Sequence, residues 1–281
     1  MKQLILILFL AASQLLMAQN IHVITYNIRY NNPGDGVNSW PNRSKEVAAL
    51  LNFHRADVFG LQEALIGQIE DIQSQLPHMN WIGVGRDDGQ KSGEYSPIFY
   101  NKNKFKVLKS GWFWLSENPS KPGLGWDAAC NRICTWALFK TDKKDRQFLF
   151  FNTHFDHQGI MARTESAKLI LKKIKELNPA KLPVILTGDF NMTPEFEPIS
   201  VITKELKDSK TISSETPYGP EGTFNGFKFD SPLKDRIDYV FVNNQVVVKQ
   251  YGVLSDSKNQ RYPSDHLPVF VNIELQKEKK K

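Results

Sequence analysis

Two cysteines, Cys130 and Cys134, are all that the 281-residue chain contains. If the backbone between them is extended, they stand about 13 Å apart, which is beyond disulfide reach. Two free thiols are therefore expected, and only a looped or helical path between them would reopen the question. Low-complexity blocks, Pro/Ser-rich linkers and internal repeats are also missing. One domain near the upper size for a single core is the simplest organisation. A long appended basic arm is lacking too. The net charge of +6 owes part of its value to the tail Lys277-Glu278-Lys279-Lys280-Lys281, so duplex nucleic acid is a permitted partner and not a required one.

The one prominent apolar run, Leu4 to Leu10, is too short to span a bilayer. It follows Lys2 and leads through small residues to Leu16-Met17-Ala18 before Gln19. That is the pattern of a secretory signal peptide over residues 1–18, with residues 19–281 as the mature domain. No cysteine follows to accept a lipid. The expectation is an exported monomer, periplasmic or secreted, with no membrane span after cleavage.

Alternating or continuous runs of β-branched and aromatic residues predict strands at Ile21–Tyr30, Asp57–Glu63, Trp81–Val84, Ser96–Tyr100, Phe105–Leu115, Ile133–Phe139 and Gln147–His154. Others follow at Val184–Thr187, Arg236–Val242, Val246–Leu254 and Asp265–Leu275. Helical spacing puts Val47, Leu50, Leu51 and His54 on one stripe, then Ile66, Ile69 and Ile72, then Ala167, Ile170, Ile174 and Leu177 within Ala162–Leu177. Asn31–Asn38 reads as a loop, Lys204–Phe229 as irregular, and Ser116–Arg132 as a Pro/Gly-rich loop long enough to suggest a functional role. Strands outnumber helices about two to one, which fits two face-to-face sheets with helices outside.

Polar residues recur where these apolar strands stop: Asn27, Glu63, His154, Asp189 with Asn191, Asp238, and Asp265 with His266. Acids, amides and imidazoles are costly beside a core unless they pair or bind a cation, so their recurrence suggests one shared site. Asp189 and Asn191, two apart in extended backbone, would point to one side and converge. Gly188-Asp189-Phe190-Asn191 is equally the composition of an ordinary turn.

At these residues the chain resembles the endonuclease/exonuclease/phosphatase superfamily of metal-dependent phosphoesterases. Thr25-Tyr26-Asn27, Leu61-Gln62-Glu63, Asn152-Thr153-His154, Gly188-Asp189-Phe190-Asn191, Arg236-Ile237-Asp238-Tyr239 and Ser264-Asp265-His266-Leu267-Pro268 occur in the family's order. The resemblance implies an α/β fold, a four-layer α/β sandwich with two mainly antiparallel central sheets flanked by helices. It implies Glu63 as the principal Mg²⁺ ligand, with Asn27 and Asp265 nearby and Mn²⁺ as a substitute. Asp189 would orient or deprotonate the attacking water, and Asn191 would hold water or phosphate. His266 would face the phosphate with Asp238 on its other nitrogen, and His154 would contact the developing phosphorane or the leaving oxygen. Glu94 is placed like the acid partner of the first catalytic histidine in the pancreatic deoxyribonuclease branch. Arg86 and Arg132 are candidate phosphate clamps, since guanidinium forks match phosphate oxygens; surface solvation is the alternative. His157 is read as pocket wall or surface, and Trp112, Phe113 and Trp114 as core or groove wall.

The implied activity is hydrolysis of a phosphoester by in-line attack of water, with a phosphodiester as the first choice. A sugar or inositol phosphomonoester and a sphingomyelin-like lipid are the alternatives, and a catalytically silent binding module on the same fold is the reading of another class. The substrate class itself is left open by the motifs.

Overall fold

The computed structural model describes residues 20–276. The expected signal peptide, residues 1–18, and the lysine-rich tail from Lys277 lie outside the described residues. The elements are β1 (Asn20–Asn27), α1 (Trp40–Phe53), β2 (Val58–Gln62), α2 (Ile66–Gln75), β3 (Met79–Ile82), β4 (Ile98–Asn101), β5 (Phe105–Trp114) and β6 (Ile133–Thr141). They continue with β7 (Gln147–His154), α3 (Ile160–Leu177), β8 (Val184–Asp189), α4 (Glu197–Thr203), β9 (Lys207–Asp208), β10 (Asp238–Val242), β11 (Val246–Val253) and β12 (Val269–Leu275).

The strands form two six-stranded sheets, ordered β11-β12-β1-β2-β4-β3 and β5-β6-β7-β8-β10-β9. Each has one parallel pair, β1 with β2 and β7 with β8, and its other neighbours are antiparallel. A parallel pair needs a crossover, and α1 and α3 supply the two. The order of pairings is the same in both sheets, so β1 and β2 in one hold the places of β7 and β8 in the other. These parallel pairs also pack against each other across the sandwich.

Three apolar layers make the stack. Val23, Val58, Ile98, Phe139, Phe150, Ile185, Val240 and Val271 fill the space between the sheets. Val47, Leu51, Ile69 and Ile72 seat α1 and α2 on Tyr26, Phe59 and Phe99 of the first sheet. Ala167, Ile170 and Ile174 seat α3 on Phe151, Leu186 and Phe241 of the second. Burying each such side chain contributes about 1.5–3 kcal/mol against the cost of ordering the chain. α3 lacks a side-chain cap at Gly159; Asp127, from the preceding long loop, accepts from the N–H groups of Met161 (3.2 Å) and Ala162 (2.6 Å) instead.

Where the chain approaches the strand ends, the packing turns polar. Gln62 Nε2 donates to Asn152 Oδ1 (2.7 Å) and Thr25 Oγ1 (3.1 Å). Asn152 Nδ2 donates to the carbonyls of Leu61 (2.7 Å) and Pro97 (3.0 Å), and Thr187 Oγ1 donates to Asn152 Oδ1 (3.0 Å). Gly60 makes room for this bridge: a Cβ there would lie 2.2 Å from Asn152 Oδ1 and 2.6 Å from Thr187 Oγ1.

Three expectations change. Asp265 and His266 precede β12 and do not begin it, because the Asp265 carbonyl accepts from the N–H groups of Asn225 (2.8 Å) and Gly226 (3.0 Å), and Pro268 has no N–H to give a ladder. Pro33–Asn38, read as loop, is a 3₁₀ segment kinked at Gly36. α4 is an unexpected helix, two turns long and too short for a periodic signal. Cys134 is buried in β6 and Cys130 lies in the loop before it, both as free thiols.

Candidate active site

The C-terminal ends of the two parallel pairs meet. Asn27, the last residue of β1, donates from Nδ2 to Glu63 Oε1 just beyond β2 (3.1 Å) and to Asp189 Oδ2 at the end of β8 (3.0 Å). Its Oδ1 is engaged by the Arg29 N–H (3.0 Å), so the amide presents its nitrogen to both carboxylates. Asp189 Oδ2 lies 3.4 Å from His154 Nε2, at the end of β7, and 3.8 Å from His266 Nε2. The eight strand-end residues thus share one centre, although Asn191 and Glu63 reach it through left-handed backbone at φ 51° and 60° and not as extended continuations of their strands. Asn191 N–H donates to Asp189 Oδ1 (2.8 Å), a side-chain-closed turn. The expected convergence is real, and a turn produces it.

The two histidines are held in opposite states. Burial and the positive Arg132 and Arg86 push His154 well below the usual imidazole range. Asn191 Nδ2 donates to the Phe155 carbonyl (3.0 Å), which fixes the amide, so its contact to His154 Nε2 (3.0 Å) makes that nitrogen the acceptor and leaves the ring proton on Nδ1. Burial opposes charge on His266 as well, but Asp238 and Asp189 overcome it and raise that imidazole well above its ordinary value. Asp238 Oδ2 accepts from His266 Nδ1 at 2.9 Å, leaving Nε2 toward Asp189. Burial and the negative Asp238 push Asp189 up to about 7, with His266 pulling the other way.

A sequence model for the endonuclease/exonuclease/phosphatase family matches residues 24–266. The chain belongs to this family. A solved mannosyl-6-phosphatase from Bacteroides thetaiotaomicron is 43% identical, with a TM-score of 0.87 over 90% of this chain and 99% of that one. Another family member from the same organism is 41% identical, with a TM-score of 0.89 over 92% and 99%. A probable RNA exonuclease from Saccharomyces cerevisiae is 30% identical over 59% of this chain. The chain spans about half or less of the length of the first curated relatives it matches.

Members of the endonuclease/exonuclease/phosphatase family are phosphoester hydrolases, generally dependent on a divalent metal, and the donors here fit such an ion. Glu63 Oε2 accepts from Tyr30 N–H (3.2 Å) and lies 3.9 Å from Arg29 Nη1, while Asp265 Oδ2 lies 4.0 Å from Arg29 Nε. Arg29 is itself committed to Asp35 through Nε (3.0 Å) and Nη2 (3.1 Å). Burial, with Glu63 as a negative neighbour, raises the Asp265 carboxyl above its usual range. Two crowded carboxylates with one shared, already occupied cation suit a hard ion that binds few protein oxygens and keeps waters.

Arg86, Arg132 and Glu94 gather beside His154 in a narrow crevice with Tyr95, Ser96 and Ile133. Arg86 gives its fork to Glu94, at 2.7 and 3.0 Å, and Glu94 Oε2 stands 3.9 Å from His154 Nδ1. Burial, moderated by Arg86, raises the Glu94 carboxyl. Arg132 is buried against Asp156 (3.5 Å) and donates from Nη2 to His157 Nδ1 (3.1 Å); its Nη1 finds no hydrogen-bond partner among the described residues. His157 is therefore a surface residue that anchors Arg132. The guanidinium also occupies the Cys130, Asp156, His157 cluster that would otherwise suggest a cation. Phe113 and Trp114 are core while Trp112 is exposed, and Trp114 Nε1 donates to the Arg86 carbonyl (2.7 Å), bracing the loop that carries Arg86 and Glu94.

Arg29, Arg43 and Thr223 also hold the centre, although no sequence motif marks them. Arg43, buried in α1, ties the carbonyls of Ile28, Arg29 (2.7 Å) and Pro263 (3.2 Å) together beneath the centre. An arginine on the apolar stripe of α1 was the available signal. Thr223 Oγ1 accepts from the N–H groups of Ile237 (3.0 Å) and Asp238 (3.2 Å), and nothing in an irregular stretch marks that role.

Proposed function

We propose that this phosphoester hydrolase removes the phosphate of a sugar phosphomonoester, and that it does so after export. The observation that carries the monoester choice is the 43% identity to a mannosyl-6-phosphatase across 99% of that chain, beside a centre in which every polar strand-end group is in place. The motifs alone favoured a diester; among the relatives reported above, the probable RNA exonuclease points the same way but matches 59% of this chain at 30% identity.

Asp189, pushed up to about 7, is suited to act as a base near neutral pH. It accepts the proton of a water whose oxygen bonds to phosphorus as the bond from phosphorus to the sugar oxygen breaks, and the sugar oxygen leaves as a hydroxyl by taking a proton from solvent. His266, held charged by Asp238, donates from Nε2 to a phosphoryl oxygen and offsets its growing charge. Asn191 holds the neutral His154 by its Nε2, and Asn27 spaces Asp189 from Glu63. Glu63 and Asp265 would hold the divalent cation, which when bound supplies Lewis-acid neutralisation of the phosphoryl oxygens.

The test is a substrate panel on the mature chain with Mg²⁺ or Mn²⁺, with and without EDTA: mannose 6-phosphate, other hexose 6-phosphates, bis(p-nitrophenyl) phosphate and single-stranded RNA. Release of inorganic phosphate from hexose phosphates, abolished by EDTA, is expected. Turnover confined to the diesters would refute the monoester reading.

A further inference from the structure

Phe224 stands out among the exposed apolar residues because it touches the catalytic centre. The residue is 41% exposed, and its ring meets the buried His266 ring edge-to-face, with centroids 5.1 Å apart. The stretch around it was read as irregular, yet its backbone is anchored on both sides. Phe224 N–H donates to the Asp235 carbonyl (3.1 Å), and Phe224 bridges His266 as an isolated antiparallel pair.

Thr223, fully buried, accepts from Leu267 N–H through its carbonyl (2.6 Å) and supports Asp238 through its hydroxyl. Asn225, also buried, donates from N–H to the Asp265 carbonyl (2.8 Å) and from Nδ2 to the Ser264 carbonyl (3.0 Å). Gly226, at φ 56°, turns the chain back beneath the ring; a Cβ there would lie 3.5 Å from Phe224 Cζ. The mount is tied to Asp238, Asp265 and His266 themselves. A large apolar face held in water on so firm a mount leaves its burial free energy to be collected from something that arrives.

We infer that Phe224 is a substrate-contacting specificity residue that packs against the C–H face of a hexose ring on the leaving-group side of the phosphate. The inference rests on the sugar-phosphate reading above. A pyranose matches the surface: it presents a patch of C–H groups to an aromatic face while its hydroxyls stay hydrated. His266 takes the phosphate and Phe224, beside it, takes the part that departs. The contact is made by ground state and transition state alike, so it lowers KM more than it raises kcat.

The experiment compares wild type, Phe224→Ala, Phe224→Leu and Phe224→Tyr on mannose 6-phosphate and on ethyl phosphate, which has the same monoester and no ring. Phe224→Ala is expected to lose about 5- to 10-fold in kcat/KM on the hexose phosphate, chiefly through KM, in line with one lost aromatic contact. It should leave ethyl phosphate within about 2-fold and the pH profile unmoved. Phe224→Tyr should retain wild-type selectivity, and Phe224→Leu, which preserves bulk if alanine unsettles the loop, should fall between. Equal losses on both substrates, or a displaced pH profile, would mean that Phe224 acts through His266 and would overturn the inference, as would no loss on either. Those outcomes leave the sugar-phosphate reading intact. A wild type inactive on every hexose phosphate and active on another phosphoester refutes that reading, and the hexose platform with it.

Discussion

Replacing Asp238 with asparagine tests the electrostatics of the centre through a single buried atom. The Asp238 carboxylate does two things: it accepts from His266 Nδ1 at 2.9 Å, and its charge raises Asp189. Asparagine keeps the shape and removes the charge. A charge-assisted hydrogen bond contributes about 1.5–3 kcal/mol. If that support is realised only in the transition state, its loss slows turnover by about 10- to 150-fold at 1.36 kcal/mol per decade. The pH profile carries the sharper signature. His266 loses the neighbour that keeps it protonated, so the alkaline limb moves to lower pH. Asp189 loses the neighbour that repels its charge, so the acidic limb moves to lower pH as well. Both apparent values belong to the coupled group of three and not to single residues. Initial rates measured from about pH 5 to about pH 10 with saturating Mg²⁺ would show a lowered bell displaced toward acid. A variant with a loss of rate but limbs fixed in place, or with limbs moving apart, would refute the assignment of Asp189 as base and His266 as charged donor.

Glu63→Gln should weaken divalent-cation binding by about 10-fold or more, read by titration with Mn²⁺, because a ligand matters at least as much as the groups that orient one; unchanged affinity would move the ion elsewhere. EDTA should abolish turnover, and added Mg²⁺ or Mn²⁺ should restore it. Gly60→Ala should destabilise the fold by about 1–3 kcal/mol or more, seen in the denaturation midpoint, since its Cβ would fall 2.2 Å from Asn152 Oδ1 in a site with no free volume. Glu94→Gln should cost about 1–3 kcal/mol of stability by leaving part of the Arg86 fork unpaired in the crevice, with a smaller loss of rate than Asp238→Asn. An unchanged melting temperature would show that Arg86 finds water instead.

The strand ends were readable because their signal is an energetic conflict. A carboxylate, amide or imidazole at the close of a buried run is expensive unless something answers it, and eight such residues gather at one centre. What escaped is tertiary in origin. Nothing local to Gly93-Glu94-Tyr95 announces that Glu94 holds Arg86, and nothing near Arg132 announces Asp156 and His157; these contacts position the two candidate phosphate clamps and leave Arg132 Nη1 without a hydrogen-bond partner among the described residues. Asp189 and Asn191 meet where strand alternation would bring them, but they do so through a turn, because Gly188-Asp189-Phe190-Asn191 closes before the strand could continue. Asp265 and His266 were read into β12 for a similar reason. Their apolar successors Leu267 and Val269 extend the pattern backwards, and only the hydrogen bonds from Asn225 and Gly226 break it.

The matching order of the two sheets explains why these pieces meet at all. β1 and β2 stand in one sheet where β7 and β8 stand in the other, and the parallel pairs pack across the sandwich. Parallel neighbours end together, so each sheet delivers two strand ends at one place: Asn27 with Glu63 from the first, His154 with Asp189 from the second. The first sheet thus brings the carboxylate chemistry that suits a cation, and the second brings Asp189, the proposed base, and an imidazole. Asn27, donating to Glu63 and Asp189 at once, is the hinge between the halves. Behind it the Gln62–Asn152 bridge fixes how far apart they sit, since Gln62 adjoins Glu63 and Asn152 lies two residues before His154. The spacing of Glu63 and Asp189, the proposed metal ligand and the proposed base, is thereby set by a buried amide pair with no exposure to solvent. The rim can then vary without disturbing it, and Phe224 belongs to that rim.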